Sequence, residues 1–188
     1  MEEVTRKELW DKAGVAGLAL GLVSTAYMFV SLLLVKPTTQ AGLSVLMSLL
    51  SLVIWAAKFV GCILLMKFFL KKFCDTHPAS TNSTIFKYGM IIALLSALIY
   101  SGIYLAYYSL IAPDALSETL DTAIASYSSM MDSNSLQMLD SLKENYVTIS
   151  FFSNLIYCFI FGTVLSAILS RNIPSKNPFA GTDGTEEL

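Results

Sequence analysis

The sequence predicts an all-α, polytopic membrane protein with four transmembrane helices in a bundle, and composition and patterning carry this prediction. Of its 188 residues, 55% are hydrophobic and only 14% are charged, whereas soluble domains carry about 25% charged residues. The mean hydropathy is +0.63. The apolar residues form continuous blocks, which favours helices over the alternating strands of a membrane barrel. This composition excludes a disordered chain, a nucleic-acid binder with a basic surface and an ordinary cytosolic enzyme.

Four apolar blocks are each long enough to cross the hydrocarbon core of a bilayer, which takes about 20 residues. They cover residues 13–35, 43–66, 88–111 and 146–169. The segment before the first block mixes acidic and basic residues, so we expect an uncleaved helix rather than a signal peptide. We assign residues 1–170 to a single membrane domain and expect the polar tail, 171–188, to be disordered.

The distribution of lysine and arginine predicts the orientation of the chain. Nine of these residues lie in the N-terminal segment, the second loop and the C-terminal tail, which share one side of a four-span chain: Arg6, Lys7, Lys12, Lys67, Lys71, Lys72, Lys87, Arg171 and Lys176. The other side has two, Lys36 and Lys143. Both termini are therefore predicted to be cytoplasmic, with residues 36–42 and 112–145 facing outward.

The long outer loop between the third and fourth blocks, 112–145, is predicted to be helical. It opens on Ala112, Pro113 and Asp114, a helix-start signal. Apolar residues then recur at helical spacing on both sides of a break at 132–135, so we expect one or two amphipathic helices on the outer surface or capping the bundle. Its acidic charge fits a solvated cap. The alternative is a docking surface for an envelope partner or a cation.

Small residues recur every four positions in three of the blocks, a spacing that lets helix backbones approach closely in lipid. They predict close packing within the bundle, and homodimerisation through the first block is the alternative. The predicted packing residues are Gly17, Gly21, Ala93, Ala97, Gly162 and Ser166.

Lys58 is the one formal charge within the four blocks. It falls near the bilayer centre, where insertion of a lysine costs about 2.5–3.5 kcal/mol. No block contains an acidic partner. Neutral residues predicted at a similar depth are Ser24, Thr25, Tyr100, Tyr157 and, one turn further out, Asn154. We take Lys58, Tyr100, Asn154 and Tyr157 as the candidate site for an anionic group or a proton. The alternative is a lysine that the fold merely tolerates.

The sequence predicts neither a metal site nor a cofactor. The cysteines are three and irregularly spaced, which does not indicate a disulfide framework. Cys74 and His77 are too few ligands for zinc, and we interpret their segment as a plain loop. There is no phosphate-binding loop, dinucleotide fingerprint, HExxH motif or nucleophile elbow.

Three stretches of the chain carry a resemblance to a known family. They are residues 8–21 (ELWDKAGVAGLALG), 111–114 (IAPD), and the ending 170–172 (SRN) with 176–179 (KNPF). In these stretches, and over its full length, the chain resembles a family of small bacterial inner-membrane proteins known only as a domain of unknown function. The resemblance implies a four-span fold in the bacterial cytoplasmic membrane. It implies no reaction, substrate or functional residue.

The expected function is a non-enzymatic role in membrane or envelope interactions, with a lipid or small amphiphile bound in the bundle. The alternative is a small transporter or channel subunit that uses Lys58. An intramembrane enzyme ranks third, because it needs at least two convergent polar groups and the blocks supply only Lys58 with tyrosine or asparagine partners. The expected partners are the lipid bilayer and, through the acidic outer segment, a second copy or an envelope protein. We expect no nucleic acid.

Overall fold

The computed structural model describes residues 5–34, 41–78, 80–127 and 133–173, and within these ranges it is all-helical, without strands. The helices are α1 (Arg6–Leu34), α2 (Ala41–Thr76), α3 (Asn82–Ala106), α4 (Pro113–Tyr127) and α5 (Ser133–Asn172). Lys36, Lys176, Asp132 and the tail from residue 174 lie outside the described residues. The rest of the predicted break, 133–135, and the first two residues of the predicted tail, Arg171 and Asn172, are helical within α5, which corrects both predictions.

Four helices are long and apolar enough to cross a membrane, which confirms the prediction of four such helices. They are Arg6–Leu34, Val45–Thr76, Asn82–Ile111 and Asn145–Asn172. These helices are longer than the apolar blocks within them. The charged turns before Ala13 in α1 and from Lys67 in α2 therefore lie outside the apolar blocks.

Local sequence sets the ends of α3. The Thr81 hydroxyl accepts a hydrogen bond from the Thr84 amide at 3.3 Å and caps the first turn. At the other end the helix widens into a π-helical turn, Tyr107–Ile111. The Ala112 amide there donates to the Tyr107 carbonyl at 3.0 Å. Pro113 then begins α4, at a position where its missing N–H is not needed.

The outer segment and the fourth apolar block are joined in one helix. The sequence reasoning set a boundary near residue 146, whereas α5 runs without interruption from Ser133 to Asn172. At 1.5 Å per residue its 40 residues extend about 60 Å, twice the thickness of a hydrocarbon core. The change from a polar to an apolar pattern does not end a helix when no proline or glycine lies at the change.

The third helix is the centre of the packing, with α1 on one side and α5 on the other. The buried core lies toward the lysine-rich ends of the helices, and includes Ala13, Leu20, Met66, Leu70, Phe73, Ile85, Ile92 and Leu169. By contrast, α2 is the least buried of the four long helices. Its apolar side chains from Val45 to Val53 are largely exposed, as suits a helix that faces lipid.

Candidate functional site

The candidate site is a cavity of about 100 Å³ that residues from α1, α2, α3 and α5 enclose. Lys58 lines it from α2 and Tyr157 from α5. The other lining residues include Leu20, Ser24, Trp55, Phe59, Cys62, Met66, Ala93, Ser96, Cys158, Phe161, Gly162 and Leu165. One charged group thus borders a mainly apolar cavity, with hydroxyls and thiols as its other polar neighbours.

The ammonium of Lys58 lies over the ring of Tyr100, with Nζ 4.4 Å from the ring centroid. A cation over an aromatic face gains about 2 kcal/mol when it is removed from water. This gain is comparable to the insertion cost of about 2.5–3.5 kcal/mol for a lysine at mid-membrane. The Tyr100 ring therefore offsets much of the cost of placing Lys58 among apolar helices, while the Lys58 side chain also lines the cavity.

Aromatic rings from α2 and α5 form one wall of the cavity. Trp55 stacks on Phe59 with centroids 5.5 Å apart, and Phe59 meets Phe161 across the two helices at 5.0 Å. Tyr157 lies parallel to Phe161 at 6.5 Å. Trp55 is 56% exposed and Tyr157 is 61% exposed. The cavity therefore opens between α2 and α5, where these two side chains are exposed.

The predicted site residues differ in how close they come to Lys58 and its cavity. Tyr100 contacts it and Tyr157 lines the same cavity. Asn154, one turn before Tyr157, does not line this cavity. The role of these residues in binding stays a prediction.

Sequence reasoning missed two thiols of this cavity. Cys62 and Cys158 both line it, and the Ser24 hydroxyl lies 3.6 Å from the Cys62 sulfur. The available signal was spacing, because Cys62 is four residues after Lys58 and therefore on the same face of α2. The described residues contain no group of three or more His, Cys, Asp or Glu side chains suited to a metal ion.

The small residues lie where helices approach most closely. A Cβ on Gly17 would lie 2.7 Å from the Leu95 Cβ, and one on Gly21 would lie 2.9 Å from the Ile99 Cβ. Both contacts join α1 to α3.

The contact between α3 and α5 is equally close. A Cβ on Gly162 would meet the Ala93 Cβ at 2.5 Å. Ser166 is buried, faces Gly89, and donates from its hydroxyl to the Phe86 carbonyl at 3.1 Å. Ala97 is also fully buried in α3.

A charged cluster joins the start of α1 to the end of α2. One Glu8 carboxylate oxygen lies 3.1 Å from Lys12 Nζ and 3.0 Å from His77 Nε2. His77 Nδ1 lies 3.1 Å from the carbonyl oxygen of Phe73, four residues earlier in the chain. These bonds lower the pKa of Glu8, first through His77 and then through Lys12. The segment interpreted as a plain loop is therefore the last turn of α2, which runs to Thr76, and His77 after it contacts α1 through Glu8.

The chain was compared with known families, curated proteins and solved structures. Residues 15–171 match the family described as "Protein of unknown function (DUF4199)". No curated protein and no solved structure matches. The match extends over α1 from Val15 onward, over α2, α3 and α4, and over nearly all of α5, and it includes Lys58 and the whole cavity around it. The chain therefore belongs to the DUF4199 family of proteins of unknown function.

Proposed function

We propose that this protein is a non-enzymatic membrane protein that binds the small anionic headgroup of an amphiphile at Lys58. The observation that carries the proposal is the position of the ammonium, which borders a cavity among four apolar helices against the Tyr100 ring. The apolar blocks contain no acidic residue to pair with it. A cation in such surroundings attracts an anion strongly, because little water or salt screens it.

The size of the cavity selects the headgroup. A volume of about 100 Å³ is that of roughly three water molecules, at about 30 Å³ each. Pockets that enclose a whole drug-sized ligand start near about 300 Å³. A carboxylate fits, and its apolar tail would leave between Trp55 and Tyr157 into the bilayer. We therefore propose that the ligand is a single-chain carboxylate amphiphile rather than a phospholipid with a bulky headgroup.

The same proposal includes a four-helix bundle in the bacterial cytoplasmic membrane, with both termini inside. The excess of lysine and arginine on one side supports this orientation. A reporter fused after Ser175 is then expected to read cytoplasmic, and a label at an insertion near Ser133 is expected to react from outside. The opposite pattern would overturn the orientation.

We also propose that α4 is an amphipathic helix on the outer side. Asp114, Glu118 and Asp121 are exposed, whereas Leu120 and Ile124 are partly buried four residues apart. This pattern supports a solvated cap and an acidic face for a second copy or an envelope protein.

Tryptophan fluorescence tests the carboxylate site directly. Trp55 lines the cavity, and Trp10→Phe leaves it as the single tryptophan. The probe is 2-bromohexadecanoic acid, whose bromine lies beside the carboxylate, and its methyl ester is the uncharged control. We expect saturable quenching by the acid and binding weakened about tenfold in Lys58→Met, the loss of one charge-assisted contact. Lys67→Met, an exposed lysine on the same helix, is the matched control.

Equal quenching of Trp55 by the acid and the ester, or an unchanged affinity in Lys58→Met, would contradict the proposal. Transport through Lys58 requires a water path, and the cavity holds only about three waters. A Lys58-dependent flux of a carboxylate into liposomes containing the protein would favour transport over binding.

A further inference from the structure

A second, larger cavity lies at the lysine-rich ends of α1 and α2, separate from Lys58. Its volume is about 480 Å³, within the range of small-molecule sites. Its lining residues are Asp11, Lys12, Val15, Ala16, Phe69, Lys72, Phe73, Thr76 and Tyr88.

The lining changes from polar to apolar along the helix axes. Lys12 and Lys72 lie on the side of the charged helix ends, beyond the apolar stretches of α1 and α2. Val15, Ala16 and Phe69 lie one turn further toward those stretches. This order of the lining, first charged and then apolar, matches the order within a phospholipid from its headgroup to its first methylene groups.

The cations of the cavity come from two helices. The ammonium of Lys12 already contacts Glu8 at 3.1 Å. Lys72 is exposed and lines the cavity from α2. Asp11 is the single acid in the lining. The lining holds two lysines and one aspartate, and Glu8 beside it shares the charge of Lys12, so binding of one phosphate ester would rest mainly on Lys72.

The floor of the cavity is already in place. Phe73 and Tyr88 are buried and stack with ring centroids 4.1 Å apart and planes 14° from parallel. The Tyr88 hydroxyl donates to the Lys12 carbonyl at 3.5 Å, so α3 supports α1 beneath the lysine. A preformed floor lowers the ordering cost of binding.

We propose that this cavity holds the phosphodiester headgroup of an anionic phospholipid. The phosphate would lie between Lys12 and Lys72, and the glycerol and first methylene groups would contact Val15, Ala16 and Phe69. The basic residues at the same end concentrate anionic lipid near the cavity. This site is independent of Lys58 and takes a different ligand.

Native mass spectrometry of the full chain in detergent tests this site, because detergent removes the charged membrane surface. The probe is dioleoyl phosphatidylglycerol, with dioleoyl phosphatidylcholine as the zwitterionic control. Lys72→Gln is the test variant. Lys71→Gln is its matched control, because Lys71 is the adjacent exposed lysine and does not line the cavity. We expect phosphatidylglycerol affinity to fall about tenfold in Lys72→Gln and to change less than about twofold in Lys71→Gln.

Equal losses in the two variants would overturn the proposal, because they would indicate general surface charge. Equal binding of phosphatidylcholine and phosphatidylglycerol would also overturn it. Inorganic phosphate forms the remaining arm. If inorganic phosphate displaces the bound lipid as effectively as added phosphatidylglycerol does, the site binds free phosphate and the lipid proposal fails. Lys58→Met is expected to leave phosphatidylglycerol binding unchanged, which separates this site from the carboxylate site.

Discussion

Lys58 Nζ lies 4.4 Å from the centroid of the Tyr100 ring, a contact between α2 and α3 within the apolar part of the chain. Because α2 is the least buried long helix, this contact has a structural consequence as well as a chemical one. It fixes the loosely packed helix to the central helix, and it points a positive charge at the cavity that opens between α2 and α5.

The Tyr100 ring is expected to stabilise the folded protein only while Lys58 is charged. Tyr100→Leu should lower the free energy of unfolding by about 1–2 kcal/mol beyond the change in packing, whereas Tyr100→Phe keeps the aromatic face. Thermal denaturation in detergent, repeated in a Lys58→Met background, separates the two contributions. An equal loss from Tyr100→Leu in both backgrounds would show that the cation–π contact contributes nothing.

Two glycines of α1 are expected to respond in opposite directions to the same substitution. Gly17→Ala should destabilise the protein by about 1–3 kcal/mol, because its Cβ would lie 2.7 Å from the Leu95 Cβ. Gly14 has open space around its position. Gly14→Ala should therefore stabilise by about 0.5–1 kcal/mol, since alanine is the better helix former. The midpoint of thermal unfolding measures both, and a loss at Gly14 equal to that at Gly17 would contradict the packing described for α1 and α3.

The Glu8 cluster predicts a dependence of stability on pH. The pKa of Glu8 lies below its ordinary value of 4.5, because His77 and then Lys12 hydrogen-bond to the carboxylate. A carboxyl whose pKa is lowered on folding stabilises the folded state above its unfolded pKa. That stabilisation is lost as the pH falls through the lowered folded pKa. The wild type should therefore be more stable than Glu8→Gln at pH 7, and the difference should close in acid, below pH 4.5.

Thermal denaturation of the wild type and Glu8→Gln across this pH range measures the difference. Asp11→Asn is the control, because it removes a carboxylate from the adjacent part of α1 without touching the ion pair. A difference between wild type and Glu8→Gln that persists unchanged in acid would show that the carboxylate charge is not what joins α1 to the end of α2.

The elements that sequence predicts best here are those that one physical signal determines alone. The uncharged stretch 13–35 lies almost wholly within α1, and the stretch 88–111 lies within α3 and the π-helical turn that follows it. Both were predicted because length and hydropathy are sufficient to define a membrane helix. The continuity of α5 across residue 146 was not predicted, because a change of amphipathicity looks like a boundary in sequence and is not one in the backbone.

Side-chain partners within the candidate site depend on how each helix is rotated about its axis, which depth in the membrane does not specify. Depth placed Tyr100, Tyr157 and Asn154 near Lys58, and rotation brings the Tyr100 ring onto the ammonium while Asn154 does not line the cavity. The His77 contact with Glu8 joins residues 69 positions apart. No local pattern indicates such a pairing.

Native mass spectrometry of the protein released gently from membranes, with wild type beside Lys58→Met, tests anion binding at Lys58 most directly. If Lys58 binds an anionic headgroup, the wild type carries a defined anionic adduct of the mass of a single-chain carboxylate amphiphile, and Lys58→Met carries it at strongly reduced occupancy. Lys67→Met should keep the adduct. No such adduct on the wild type, or the same adduct at equal occupancy on Lys58→Met, would contradict the claim that Lys58 binds an anionic headgroup.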